Sequence, residues 1–476
     1  KKKKKKTFNL MRKLLLLCAG ILFFSHTGQA THLMGGELSY KTDSSGNIHF
    51  SCILYRNIYQ QTFSLPPNLI LADKDSTYST SLVRVKIDTV AQLGAFQSTP
   101  PPAMIDRHFY EGTISAQTLS QICTDCEFWV YYCCRSTGIQ NVTNVGSSKL
   151  PLSVSFNTNV ASSNHGPVFL GAPIAEFPVN DQVYYNPMPY DADGDSLYWY
   201  MADTAYIQNY SPPASAAGGP LAIKPLNSEI SWTPSANQYY LMGVIAEEYR
   251  NGVKIGHTYR ETMMYTRADN LRIDYDHPTN AILQNGLPVV FLKGDSLNEI
   301  RFSFWSGNTA NTLKMSAFGE PFAFDGSDAT FTTFSNSTQD TLTGVFNWTP
   351  SGSLKNQGPF RLTFRMNDSV YSTDYTVLVH INSVVNTAEY RFSDKCFEIY
   401  PNPGSGEVKL LVHELFGEGN ANLKVLDLHG KLVFSKDFKG IQPGEALPLR
   451  LRLGKGIYIF QLNGKDKAEN HRVVIQ

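Results

Sequence analysis

The chain of 476 residues exceeds what one hydrophobic core usually organises, so several domains are expected. It contains 25 Tyr, 28 Phe, 35 Gly and 25 Pro but only 17% charged residues, a balance of strand and turn formers that points to an all-β protein and away from surface helices. Its 41 basic and 41 acidic residues cancel; with residues 1–30 set aside, 33 basic face 41 acidic, which argues against a nucleic-acid partner.

Residues 1–30 read as a secretory signal peptide. From Met11, MRKLLLLCAGILFFSHTGQA offers a basic start, an apolar run from Leu14 to Phe24, and small residues Gly28 and Ala30 before a cut. The six lysines ahead of it read as an over-extended start site. The run is too short for a permanent transmembrane anchor, no later segment replaces it, and Leu17 before Cys18 is not the small residue that lipid attachment wants. Export places the six remaining cysteines, Cys52, Cys123, Cys126, Cys133, Cys134 and Cys396, in an oxidising compartment where disulfides are expected. Zinc is the weaker reading, because CTDCEFWVYYCC follows its C-x-x-C with an adjacent pair and no histidines cluster nearby. The pairing stays open.

Residues 31–165 form the first expected domain, a disulfide-containing β unit. THLMGGELSYKTDSSGNIHFSCILYRNIY writes a hairpin around the polar turn TDSSGN, and EFWVYYCCR writes a later strand. His32 has no partner at a ligand spacing and is read as structural. Residues 166–268 and 269–386 repeat one another weakly. Each copy has Gly-Asp-Ser-Leu entering a strand, a Trp-Thr-Pro corner at Trp232 or Trp348, and closing alternating strands. That pattern suits two immunoglobulin-like or cadherin-like β-sandwiches in tandem, with each tryptophan plugging a core.

Two motifs of the first copy invite chemistry. In YDADGDSLYWY, Asp191, Asp193 and Asp195 alternate around Gly194, a hard-oxygen set that suits calcium, although Ser196 and Ala202 stand where an EF-hand needs Gly and Glu. A hydrogen-bonded turn is the competing reading. Ser196 with Asp274 and His277 writes an esterase triad. Gly-Asp-Ser-Leu nevertheless occurs twice at strand entries and no helical periodicity follows Ser196, so no enzyme is expected. Strand alternation sends Tyr198 and Tyr200 to one face and Trp199 to the other.

A polar linker, residues 387–395, leads to residues 396–476. There Leu447, Leu449, Leu451 and Leu453 share one face, and DLHGKLVF reads as a hairpin turn, so a small β-sandwich is expected. YPNPGSGEVKLL, LKVLDLHGKLVF, GKGIYIFQL and HRVVIQ, in that order, resemble the type A sorting domain of type IX secretion cargo. Tyr400, Pro401, Asn402, Pro403, Gly430, Gly456 and Tyr458 fall in its motifs. The resemblance implies passage through the outer membrane by the type IX machinery, then release or attachment to surface polysaccharide. THLMGGELSY, ILYRN and FWVYYCCR resemble the N-terminal module of cell-surface and gliding-motility-associated proteins of bacteria that use this system. Asn57 and Ile58 stand where that family often has Asp-Cys. YDADGDSLYWY with ISWTP and EEYRNG resembles cadherin-like or immunoglobulin-like repeats of bacterial surface proteins.

The expected protein is a secreted or surface-attached non-catalytic binder, an adhesin or surface scaffold. Glycans, surface polysaccharide or other proteins are its expected partners, and calcium is the cofactor considered. A secreted ester or glycoside hydrolase with accessory β-domains and a purely structural surface-layer or motility component are the alternatives.

Overall fold

A computed structural model describes residues 33–475 apart from 58–63, 91–104, 134, 136–137, 146–147, 175, 217–220, 269–272, 279, 285–286, 308–311, 337–339, 356, 369–370, 383–396, 401, 403, 405–406, 413–419, 428–430, 442–445 and 465–467. The expected signal peptide, His32, the 387–395 linker, Cys134, Cys396, Pro401, Pro403 and Gly430 lie outside the described residues.

The architecture is all-β. The chain opens with β1 (Leu33–Thr42), β2 (Ile48–Asn57), β3 (Asn68–Asp73), β4 (Ser79–Val90), β5 (Ile105–Ile114), β6 (Asp125–Tyr132) and β7 (Leu150–Asn157). The short β8 (Val168–Phe169), β9 (Glu176–Pro178), β10 (Val183–Tyr185) and β11 (Pro189–Tyr190) follow. Then come β12 (Ser196–Met201), β13 (Ala222–Ile223), β14 (Ile230–Trp232) and the long β15 (Tyr239–Arg250) and β16 (Val253–Arg267). The expected first hairpin forms, with Thr42 opposite Ile48. Asp43 closes its turn by accepting from the backbone N–H of Ser45 and Asn47. The β15–β16 hairpin turns at Asn251–Gly252, both with positive φ, as a two-residue turn of matching twist requires.

One 11-stranded sheet runs across residue 165, where a domain boundary is expected, because β16 binds strands from both sides of it. One edge of β16 holds β15 along its length. Its other edge is shared: Gly256–Thr258 pairs with β7, Arg260–Thr262 with β1, and Tyr265–Arg267 with β9. The order β1-β2-β5-β4-β3-β6-β7-β16 therefore returns to β1 and encloses a core of Leu38, Phe50, Leu54, Leu71, Phe128 and Leu152. Removing side chains of this size from water contributes about 1.5–3 kcal/mol each. Glycine permits the crossing: a Cβ on Gly35, at φ +124°, would stand 2.0 Å from Glu261 O, and one on Gly256 would stand 1.8 Å from Ser155 O. YYLMGVIAEEYR lacks alternation because β15 is covered on both faces. Leu241 and Ile245 enter one core, while Tyr240, Met242 and Val244 enter another with Trp232.

The next unit is a β-sandwich. Its five-stranded sheet runs Ala281–Gln284, Leu287–Lys293, Ser372–Asn382, Phe360–Asn367, Lys314–Gly319, and its four-stranded sheet runs Ile273–Asp276, Asn298–Ser306, Thr341–Trp348, Thr330–Ser335. Phe302, Phe304, Phe346, Trp348 and Phe364 fill the space between them. Both tryptophans of the repeat are core plugs, each 2% exposed. The two copies pair differently, however: β12 pairs with β15, beyond the Trp232 corner, whereas Asn298–Ser306 pairs with the strand that carries Trp348.

The last unit is a small sandwich of three and four strands around Phe397, Leu410, Leu423, Val425, Phe460 and Val473. Leu449 and Leu451 are buried in it, with Leu447 and Leu453 packed against it, while Arg450 and Arg452 are exposed.

Cys123 and Cys126 are joined by a disulfide, and Cys133 is disulfide-bonded as well. Cys52 departs from the expected disulfide set and is a free, fully buried thiol. It points into the core of β2 between Leu38 and Tyr110 on the neighbouring strands, neither of which offers sulfur, and burial pushes its pKa up.

Candidate functional site

The Asp191–Asp195 loop joins β11 to β12 and is locked by its own first residue. Asp191 Oδ1 accepts from the backbone N–H of Asp193 and of Asp195, 2.9 Å each. The three carboxylates converge, with one oxygen of each within 4.8 Å of the others, so the structure brings together the residues of the calcium expectation. The other two also have protein partners outside the loop. Asp193 accepts from the His165 backbone N–H at 2.7 Å and meets its Nδ1 at 2.8 Å. Asp195 accepts twice from Arg250, at 2.9 and 2.7 Å, and that guanidinium stands 3.6 Å from Asp193. Arg250 also donates to Ser163 O and Asn164 Oδ1. A fixed guanidinium supplies the positive charge here, and a metal ion has to compete with it.

Behind the loop, Glu248 on β15 is wholly buried, with no ion pair among the described residues. The Tyr40 hydroxyl donates to Oε1 at 2.9 Å, and Asn164 Nδ2 lies 3.0 and 2.9 Å from the two carboxyl oxygens. Burial pushes the Glu248 carboxyl up to about 8, with the neighbouring Asp191 charge adding to the effect. Burial likewise pushes Asp191 up to about 6, and Asp191 Oδ2 is buried without a hydrogen-bond partner. Burial and their mutual repulsion thus favour the protonated form of this carboxyl pair.

The esterase triad is not assembled. Ser196 opens β12 opposite Tyr249, whereas Asp274 pairs with Trp305 in a different sheet and His277 Nδ1 meets the Tyr375 hydroxyl at 2.5 Å. Among the described residues no hydrogen bond joins Ser196 to Asp274 or His277. Tyr198 and Tyr200 share a face, ring centroids 5.4 Å apart. Trp199 points the other way, donating from Nε1 to Lys224 O under the Arg361 guanidinium.

The N-terminal motif residues meet where β1 crosses β16. Glu37 of THLMGGELSY accepts from Arg260 at 2.6 Å and from the Tyr55 hydroxyl of ILYRN at 2.9 Å. Arg135 of FWVYYCCR donates to both oxygens of Glu261, at 2.7 and 2.5 Å, and the Tyr259 hydroxyl adds a third bond. These motifs therefore hold charges in pairs inside the protein, where an unmatched one is costly. In the last sandwich, Asn402 staples the final strand by accepting from Val474 N and donating to Arg472 O. Tyr458 donates to Gly454 O, and Gly456 begins a strand opposite Ile475.

A groove of about 410 Å³ adjoins the Asp191–Asp195 loop. Ala192 and His165 line one side, and the outward faces of β1, β2 and β5 line the other.

No curated protein matches the chain. Among solved structures, it is similar to the "Biofilm associated protein - BSP domain" at 10% identity and a TM-score of 0.15, covering 94% of this chain and 96% of that one. It is similar to the FN1-FN3 domains of chicken CNTN1 at 8% identity and 0.15, covering 65% and 99%. It is also similar to the "Endo-fucoidan hydrolase MfFcnA4 from glycoside hydrolase family 107" at 14% identity and 0.16, covering 67% of this chain and 45% of that one. At such scores these likenesses carry no argument about ligand or activity. The sequence comparison is more specific: residues 398–476 match the secretion system C-terminal sorting domain family, which makes the chain cargo of the type IX system.

Proposed function

We propose that the chain is a non-catalytic binding protein exported to the cell surface or the extracellular space, an adhesin that presents loops and sheet faces on a rigid all-β body. The observation that carries this reading is where the charged groups go. Asp193 and Asp195 hold His165 and Arg250, Glu37 and Glu261 hold Arg260 and Arg135, and His277 is turned to Tyr375. Groups spent on one another build a stiff scaffold, which leaves recognition to surface loops and grooves. The sorting domain supports delivery of that scaffold by the type IX machinery to the cell surface or extracellular space, and glycans, surface polysaccharide or other proteins are the partners this reading assigns to it there.

The test is attachment. Cells of the producing bacterium that lack the chain are expected to lose adhesion to a ligand-bearing surface, and added purified chain is expected to compete with wild-type cells for it. Unchanged adhesion in both assays would overturn the reading.

A further inference from the structure

The groove beside the Asp191–Asp195 loop has a floor that the fold builds from two cross-strand rows. In one row Lys41, His49 and Thr113 stand side by side on β1, β2 and β5; in the next stand Ser39, Ser51 and Glu111. His165 extends the first row, since it forms an antiparallel bridge with Lys41. Both imidazoles are held by carboxylates. His49 Nε2 meets Asp43 at 2.8 Å while its Nδ1 meets the Thr113 hydroxyl at 3.0 Å, and His165 Nδ1 meets Asp193 at 2.8 Å. The His49 contact holds the Asp43 carboxyl well below its usual range.

Lys41 and Glu111 differ from these fixed groups. Both are exposed, and neither has an ion pair among the described residues. Strand spacings of about 4.8 Å across the sheet and about 3.4 Å per residue along it separate their Cα positions by about 12 Å. The floor thus offers an unpaired ammonium at one end, an unpaired carboxylate at the other, and hydroxyls between them.

Three properties narrow the occupant. β1, β2 and β5 each have hydrogen-bonded neighbours on both sides over this stretch, so a peptide cannot add as a strand. Among the described residues that line the groove, a strong polyanion meets one unpaired cation, and it is repelled by Glu111, Asp43 and Asp193. A polyhydroxylated ligand with one carboxylate suits the set: the carboxylate pairs with Lys41, ring hydroxyls donate to Glu111, and the serine and threonine hydroxyls complete the contacts. The volume of about 410 Å³ is that of a small-ligand site.

We propose that this groove binds a short uronic-acid-containing saccharide, with the sugar carboxylate on Lys41 and sugar hydroxyls on Glu111. The inference rests on the reading of the chain as a binding protein and adds to it a site and a ligand class.

Isothermal titration of the full chain with glucuronosyl-xylobiose, its methyl ester and galacturonosyl-rhamnose, each free acid carrying one carboxylate, tests it. At least one of the two free acids should bind. With glucuronosyl-xylobiose as that ligand, its methyl ester should bind at least tenfold more weakly. Lys41→Gln should lose the acid by a similar factor, Lys41→Arg should retain most of it, and Glu111→Gln should weaken all binding sugars alike. Both Lys41 variants should keep the wild-type melting temperature, because Lys41 is exposed. Equal binding of an acid and its ester, or wild-type affinity in Lys41→Gln, would overturn the proposal. If neither acid binds while the chain still competes for cell attachment, the groove assignment falls and the binding reading stands. If both assays are silent, both fall.

Discussion

Glu248 is a buried carboxyl group whose partners are a phenol, an amide and another carboxyl. Its proton affinity is raised in the folded chain, so between its ordinary value and about 8 the folded state holds a proton that the unfolded chain has released. Stability must therefore fall as pH climbs through that window, at up to about 1.4 kcal/mol per pH unit for one proton. Asp191, raised to about 6, adds in the same direction at the acid end. Glu248→Gln keeps the shape without the ionisation and is expected to flatten the fall between about pH 6 and 8 in urea-unfolding midpoints. A wild-type midpoint that rises toward pH 8, or an unchanged slope in the variant, would contradict this account of the pair. At this scale the sequence displays the alternating aspartates and their turn. It does not display Arg250 and His165, which reach the loop from 55 and 28 residues away through the fold. It likewise hides the cross-strand neighbours of Cys52, Leu38 and Tyr110, which only strand register decides.

Strands and hairpins were legible wherever one face is wet. The strand after TDSSGN and the leucines from Leu447 onward alternate because one side meets water, and TDSSGN forms the turn its polar residues describe. β15 was harder, because burial on both faces erases the alternation that marks a half-buried strand. The shared sheet across residue 165 escaped for a related reason: pairing between β1 and β16 joins residues more than two hundred positions apart, and no local signal records it. The crossing does leave one trace, the Gly-Gly of THLMGGELSY. Gly35→Ala forces a Cβ into Glu261 O at a left-handed φ and is expected to destabilise the N-terminal unit by about 2–4 kcal/mol. Ala in place of the exposed Gly194, where a Cβ meets nothing, should cost about 1 kcal/mol for its φ alone. Chemical denaturation of the two variants compares them directly, and equal losses would refute the close-approach explanation for Gly35.

At the scale of the molecule, the sheets are fastened by buried polar joints. Arg361 spans Glu320, Ser228 and Pro189 O and lies 4.7 Å from the Trp199 ring centroid. Arg365 holds Asp374 and donates to Ala172 O, while Asp374 also accepts from Asn186 N. Such joints tie the N-terminal body to the sandwich that follows, because separating them takes from Arg361, Arg365 and Asp374 their neutral hydrogen-bond partners across the boundary, Ser228, Pro189 O, Ala172 O and Asn186 N. The sequence announced strands throughout and the sorting domain, but the joint depends on side chains from distant strands and carries no motif. A stiff body delivered by a sorting domain is suited to recognition at its surface, and one experiment addresses that most directly. The purified full chain is applied to an array of acidic and neutral glycans and matrix proteins, with calcium and again with chelator, beside a panel of ester and glycoside substrates. Selective binding to uronate-containing glycans in both conditions, without turnover of any substrate, is the predicted result; a silent array accompanied by hydrolysis of an ester or glycoside would contradict it.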